Sequence, residues 1–210
     1  MSELFTPPGL LNSARWKGLR IGILGGSFNP PHIGHVHISL AALKGLQLDC
    51  VWWLVTPQNP LKRQSPAAME ERLDHCRALT DSHPKILISG IEGDLGTRNT
   101  HDTIAALKRR YPAHSFVWVS GMDSALSLHE WNRWRDLLDM IPMLHLTRKP
   151  ATSLIKRCPL RLYAPQNHVF IDRGGKWPLT PGTTYWMLQN KMVNISSTDI
   201  RAGAVNHSKI

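Results

Sequence analysis

Acidic residues are scarce in this chain: 15 Asp and Glu face 25 Lys and Arg among 210 residues, a net charge of +10. Such an excess suits phosphate-rich partners, nucleotides or nucleic acid, without choosing between them. Cysteine is scarcer still. The three thiols (Cys50, Cys76, Cys158) are scattered with no C-x-x-C pair, which argues against zinc and a disulfide framework and fits a reducing cytosol. No apolar run approaches the ~20 residues of a membrane span, and the N-terminus lacks a signal-peptide core. The expectation is a soluble, cytoplasmic protein with no membrane contact. Two phosphate-binding loops are also missing. Nothing after Gly34 supplies the lysine and hydroxyl of G-x-x-x-x-G-K-[ST], and G-x-G-x-x-G is absent. The second apolar strand ends in Thr56-Pro57-Gln58-Asn59, without an acid for a ribose hydroxyl. Neither a Ser-His-Asp set nor a carboxylate pair stands out.

What is present centres on residues 21 to 35, Ile-Gly-Ile-Leu-Gly-Gly-Ser-Phe-Asn-Pro-Pro-His-Ile-Gly-His. The apolar run Ile21 to Leu24 reads as a buried strand that Gly25 and Gly26 break. Pro30 and Pro31 then hold an extended turn before a helix opens near Ile33. Glycines let the backbone approach a ligand, and the orphan N–H groups at a helix start favour an anion. His32 and His35 sit three apart at that start, on one face.

The remaining pattern is strand alternating with helix. The spacing predicts strands at 19–24, 48–55, 85–89, 115–120, 143–147 and 168–171. It predicts helices at 33–44, 67–79, 101–111, 123–128 and 131–140, with a last one opening near Ser196 to Thr198. Val36, Leu40 and Leu43 mark the sheet-facing side of the first helix. Ser65 and Pro66 read as N-cap and first turn of the second. Residues 90 to 99 read as an irregular connection, and 151 to 182 are broken by Pro159, Pro165, Pro178 and Pro181. Residues 1 to 18 read as a surface leader. Such alternation implies βαβ units and a mostly parallel sheet with helices on both faces. No repeat or linker divides the chain, and 210 residues suffice for one core.

The string G-G-S-F-N-P-P-H-x-G-H resembles the nucleotidyltransferase superfamily with its H-x-G-H element. Within it the chain is similar to the nicotinate-nucleotide adenylyltransferase family. Four stretches carry the likeness: 25–35; Pro57-Gln58-Asn59-Pro60-Leu61-Lys62; Gly121-Met122-Asp123 with Trp131; and Ile195-Ser196-Ser197-Thr198-Asp199-Ile200-Arg201. The resemblance implies a Rossmann-like fold, with residues 19 to 210 as a single nucleotidyltransferase domain. It also implies adenylyl transfer from ATP to nicotinate mononucleotide, giving deamido-NAD and pyrophosphate.

In that reaction the acceptor phosphate, with a second pKa near ~6, is largely dianionic at pH 7 and needs no general base. Positioning and charge stabilisation are what the protein must supply. The resemblance assigns His35 to the α-phosphate and His32 to phosphate binding beside it. Gly26, Ser27, Phe28 and Gly34 belong to the nucleotide channel, and Ser197, Thr198 and Arg201 to the β- and γ-phosphates. Trp131 would stack on the pyridine ring, Gly121 and Asp123 touch the acceptor nucleotide, and Thr100 help with the carboxylate. Trp134 is a substitute for Trp131. His101 stands where the family carries a tyrosine, which bears on acceptor preference. Lys62 and Arg72 are candidate anion contacts, with solvated surface charge as the simpler reading. Mg²⁺ is expected with ATP, using few protein ligands, so no metal-binding residue is named. Oligomeric state stays open. The alternatives are a related enzyme using nicotinamide mononucleotide, phosphopantetheine or a phosphorylated alcohol, an aminoacyl-tRNA synthetase relative, and a non-catalytic RNA-binding module. Against the last, no Lys/Arg stripe with interleaved aromatics is present, so no nucleic-acid partner is expected.

Overall fold

In the computed structural model, residues 18–57, 67–97, 99–148, 155, 158–189 and 200 are described. The chain order is β1 (Arg20–Gly26), α1 (Ile33–Gly45), β2 (Cys50–Val55), α2 (Met69–Thr80), β3 (Ile86–Ser89), α3 (Ile91–Leu95) and α4 (Thr100–Arg110). It continues with β4 (Ser115–Gly121), α5 (Met122–Ser127), a 3₁₀ turn (Leu128–Glu130), α6 (Trp134–Met140) and β5 (Met143–Arg148). The last elements are α7 (Pro159–Leu162), β6 (Asn167–Ile171) and β7 (Thr183–Gln189).

The strands form one sheet in the order β3-β2-β1-β4-β5-β7-β6. Every neighbouring pair is parallel. A parallel sheet must be covered on both faces, and the alternation of side chains along each strand shows how. Trp52 of β2 and Trp118 of β4 point into a core shared with Ile91, Ile104, Leu107, Leu137 and Leu138 of α3, α4 and α6. Their sequence neighbours Trp53 and Val119 point the other way, into a core with Val36, Ala42, Leu73 and Cys76 of α1 and α2. Each Trp pair or Val–Trp alternation in the sequence is therefore a two-sided strand.

Several expectations are corrected. Gly25 and Gly26 do not break the first strand; both lie within β1, paired with Leu54 and Val55. Leu40 of α1 is 43% exposed, and the sheet-facing positions are Val36, Ser39 and Ala42. A small hydroxyl and a methyl let the helix lie close to the strands where leucine would hold it off. The cap of α2 is Ala68, while Ser65 and Pro66 lie outside the described residues. The connection after β3 contains the short helix α3, closed by Gly96 in the left-handed conformation. The 131–140 helix begins at Trp134, because Arg133 is itself left-handed at φ 53°. α7 and β7 were not expected. β7 is fully embedded between β5 and β6, and its Tyr185, Trp186 and Met187 are buried. Prolines at 178 and 181 hid it, although they fall in the loop before it rather than in the strand. The leader up to residue 17 and the helix start at 196–198 lie outside the described residues.

This order sets the position of a site. From β1 the chain steps to β2 and β3, then returns to place β4 on the other side of β1. Where the order reverses, the loops leaving β1 and β4 part, and a crevice opens at the C-terminal edge of the sheet.

Candidate active site

Six residues, Ser27 to His32, carry the chain from β1 into α1 at the lip of that crevice. Phe28 is buried and holds a left-handed backbone at φ 44°. For a non-glycine residue that conformation costs on the order of 1–2 kcal/mol, so its surroundings must impose it. They do. The Phe28 ring stacks on Trp53 of β2 with centroids 4.8 Å apart and planes 11° from parallel. The Trp53 indole N–H donates to Ser39 Oγ at 2.7 Å, and the Ser39 hydroxyl donates to the His35 carbonyl at 2.9 Å. Loop, strand and helix are thereby locked to one another.

His32 is the N-cap of α1, in extended backbone, and is 7% exposed. Its backbone N–H donates to His35 Nδ1 at 3.2 Å, and the two rings lie 3.8 Å apart. That bond settles the tautomer. With Nδ1 accepting, the neutral His35 imidazole carries its proton on Nε2, as a donor. The ring is held further by Phe28 at 4.9 Å and by the edge of Trp53 at 5.8 Å. Gly34 is buried in the first helical turn, where the His35 N–H donates to the His32 carbonyl at 2.9 Å and the helix itself supplies no i−4 acceptor for the N–H groups before it. The corner thus joins a positive helix end with an imidazole of fixed tautomer, an arrangement that suits a phosphoryl oxygen.

The two glycines that end β1 each have a partner within the fold. A Cβ on Gly25 would enter the van der Waals envelope of the Trp118 ring, so Gly25 makes room for a core tryptophan. Gly26 offers its carbonyl to the Thr56 N–H at 2.9 Å.

The acceptor candidates follow β4. Gly121 ends that strand and caps α5, and Asp123 is exposed in the first turn of α5. Trp131 follows the 3₁₀ turn, half-buried, its ring edge-on to Trp118 at 5.6 Å. Trp134 packs against Tyr163 at 5.0 Å and under the Arg135 guanidinium at 4.9 Å, which commits it to α6 and α7. Thr100 opens α4 behind the Asn99 cap, whose side chain accepts from the Asp102 N–H. His101 is buried, with Nδ1 2.8 Å from Asp102 Oδ1; this bond, then the one from Asn99, holds the Asp102 carboxyl below the usual range. α1 and α4 cover opposite faces of the sheet, so the imidazole corner and Thr100 belong to opposite faces. Ser197, Thr198, Arg201 and Lys62 lie outside the described residues.

Arg72 contradicts both sequence readings, since it is neither an anion contact nor solvated: it is 1% exposed and bonded to backbone carbonyls. Ser39 and Trp53 were also missed. A serine one turn after His35 on the sheet-facing side of the helix was the available signal.

A parallel α/β sheet with an imidazole-lined anion corner at its switch point defines a nucleotidyltransferase-type domain. The cytidylyltransferase-like family model matches residues 23–203. The chain is 44% identical over 183 residues to a protein of Cereibacter sphaeroides named "Probable nicotinate-nucleotide adenylyltransferase", covering 87% of this chain and 96% of the relative. A protein of the same name from Ruegeria pomeroyi is 45% identical over 188 residues, 88% of this chain and 86% of the relative. The chain belongs to the nicotinate-nucleotide adenylyltransferase family. Its fold matches that of the Plasmodium falciparum nicotinic acid mononucleotide adenylyltransferase complexed with NaAD, at TM-score 0.64 and 17% identity over 90% of this chain and 85% of that one.

Proposed function

We propose that this protein transfers the adenylyl group of ATP to nicotinate mononucleotide, forming deamido-NAD and releasing pyrophosphate. The observation that carries the reading is the His32 N–H bond to His35 Nδ1, which leaves Nε2–H as a preset donor at a helix N-terminus. In-line attack by the acceptor phosphate on the α-phosphorus breaks the bond to pyrophosphate, and negative charge builds on the non-bridging α-oxygens. A donor already oriented toward that charge needs no reorganisation at the moment of reaction. His35 takes that role and His32 binds phosphate beside it. Gly26, Ser27, Phe28 and Gly34 line the nucleotide channel, and Ser197, Thr198 and Arg201 bind the β- and γ-phosphates. On the acceptor side Trp131 stacks on the pyridine, with Gly121, Asp123 and Thr100 around the nucleotide. Mg²⁺ would enter with ATP as part of the substrate and would offset charge on the transferring phosphates.

The test is pyrophosphate release with MgATP and, in parallel, nicotinate mononucleotide, nicotinamide mononucleotide and phosphopantetheine. Turnover with the first is expected, and its absence overturns the reading. His35→Ala should lower kcat by ~10²–10³ with the fold retained. Near-normal turnover removes His35 from its role.

A further inference from the structure

All five guanidinium N–H groups of Arg72, on α2, are engaged within the protein. Nε donates to the Ala67 carbonyl at 2.9 Å. Nη1 donates to the carbonyls of Ser27 and Thr56, both at 2.7 Å. Nη2 donates to the Pro57 carbonyl at 3.1 Å and approaches Met69 Sδ at 3.3 Å. No donor is left for a substrate phosphate.

The carbonyls it gathers are not a random set. Ser27 lies in the loop leaving β1, Thr56 and Pro57 in the loop leaving β2, and Ala67 just before α2. Ser27 directly precedes Phe28, whose strained backbone and ring bear on His35. Arg72 therefore ties the phosphate loop to its neighbour at the C-terminal edge of the sheet.

Among the described residues Arg72 also has no carboxylate partner. Residues 58 to 66 (QNPLKRQSP) contain no acid. Burying a cation without a carboxylate is expensive, and a packed apolar side chain would stabilise the same place better. Burial indeed pushes the guanidinium pKa down, though arginine stays charged. A cost of this kind, placed beside a phosphate corner, indicates that the charge and the five-bond geometry serve the ligand.

We propose that Arg72 is a positioning residue for adenylyl transfer. It fixes the Ser27 carbonyl and thus the Phe28–His35 arrangement, and it leaves a buried positive charge that the polyphosphate of ATP balances. The proposal rests on the phosphate reading of this corner and is independent of which acceptor is used.

The experiment compares Arg72→Lys and Arg72→Met with Leu73→Ala, a buried neighbour on the same helix that makes no loop contact among the described bonds. At a temperature where near-UV circular dichroism shows each variant folded, Arg72→Lys should lower kcat about 10–100-fold, with the nicotinate mononucleotide KM within about twofold. The rise in Tm produced by MgATP alone should shrink. Leu73→Ala should lower Tm while kcat stays within about twofold, since misplacement and not instability is what slows transfer. An Arg72→Lys enzyme with unchanged kcat and an unchanged MgATP-induced Tm rise overturns the proposal. Should the arginine variants not fold, hydrogen exchange in the wild type decides. MgATP should slow exchange at the 26–28 amides and at the Thr56 amide together, and slowing at 26–28 alone overturns the coupling. Because the Tm and exchange readouts use MgATP only, they stand even if nicotinate mononucleotide is not the acceptor.

Discussion

A glycine inside a strand weakens it unless something occupies the space a side chain would take. At Gly25 that something is the rigid ring of Trp118, buried in the core and unable to retreat. At Gly45, the last residue of α1, the built Cβ meets the terminal methyl of Met187, which can rotate away. The two glycines should therefore differ sharply. Gly25→Ala should cost roughly 1–3 kcal/mol by overpacking, a fall of about 3–10 °C in Tm. Gly45→Ala should change Tm by no more than about 2 °C, because alanine regains up to ~1 kcal/mol of helix propensity. Thermal unfolding of both variants checks the pair, and equal losses would contradict the role given to Trp118. At this scale the sequence was a partial guide. It marked His32 and His35 by their spacing and adjacent glycines, but a composition of 25 Lys and Arg does not show that Arg72 is buried.

The junction of α3 and α4 holds a carboxylate in an unfavourable place. Glu92 is 6% exposed, and burial pushes its pKa up to about 7, against a smaller opposing effect of the Thr103 hydrogen bond at 3.0 Å. The Thr103 hydroxyl has one proton, and besides Thr97 Oγ1 at 2.8 Å it faces two acceptors, Glu92 Oε1 and the Asn99 carbonyl, each at 3.0 Å. A protonated Glu92 resolves that competition by donating. Between an ordinary carboxylate pKa and about 7, the folded protein holds a proton that the unfolded chain has released, so stability falls as pH rises through this window. The loss is on the order of 3 kcal/mol. Glu92→Gln should abolish it, raising Tm above wild type at pH 8 and leaving it nearly unchanged at pH 4.5. A wild-type Tm advantage at pH 8 would show the carboxylate to be better accommodated than its burial implies. Both helices illustrate what element-level reading can do. α4 was visible from its apolar spacing and its stop before Pro112, whereas α3 is five residues of mixed character between two glycines and has no period to detect.

Across the whole molecule the pH response is a sum of opposing parts. His145 on β5 is wholly buried, its Nδ1 2.9 Å from Ser120 Oγ, and its pKa is pushed down to about 3, first by burial and then by His168. His168 on β6 accepts from the Trp186 indole at 3.0 Å and is pushed down to about 4, chiefly by burial. These imidazoles refuse protons that the unfolded chain binds near pH 6.5. Stability is therefore full above that pH and is lost as pH falls toward 4. Glu92 acts in the reverse sense over nearly the same range. Removing each contribution should tilt the curve oppositely: Glu92→Gln steepens the rise in Tm from pH 5 to 7, and His145→Asn flattens it. Thermal unfolding across pH 4–8 reads both, and parallel curves would contradict the assignment.

The amino-acid sequence by itself determined the parallel α/β class, the order of most elements and the strand-to-helix turn that carries His32 and His35. Those follow from local periodicity and from backbone chemistry acting within a few residues. Only the tertiary structure decided that β7 completes the sheet between β5 and β6, because strand order depends on which distant segments share a core. It likewise decided the His35 tautomer, set by a bond from His32 in a particular cap geometry, and the burial of Arg72 among carbonyls from two separate loops. A residue's type announces what it can donate. Its partners are chosen by the packing of segments far apart in the chain, and that choice is made only when the sheet closes around them.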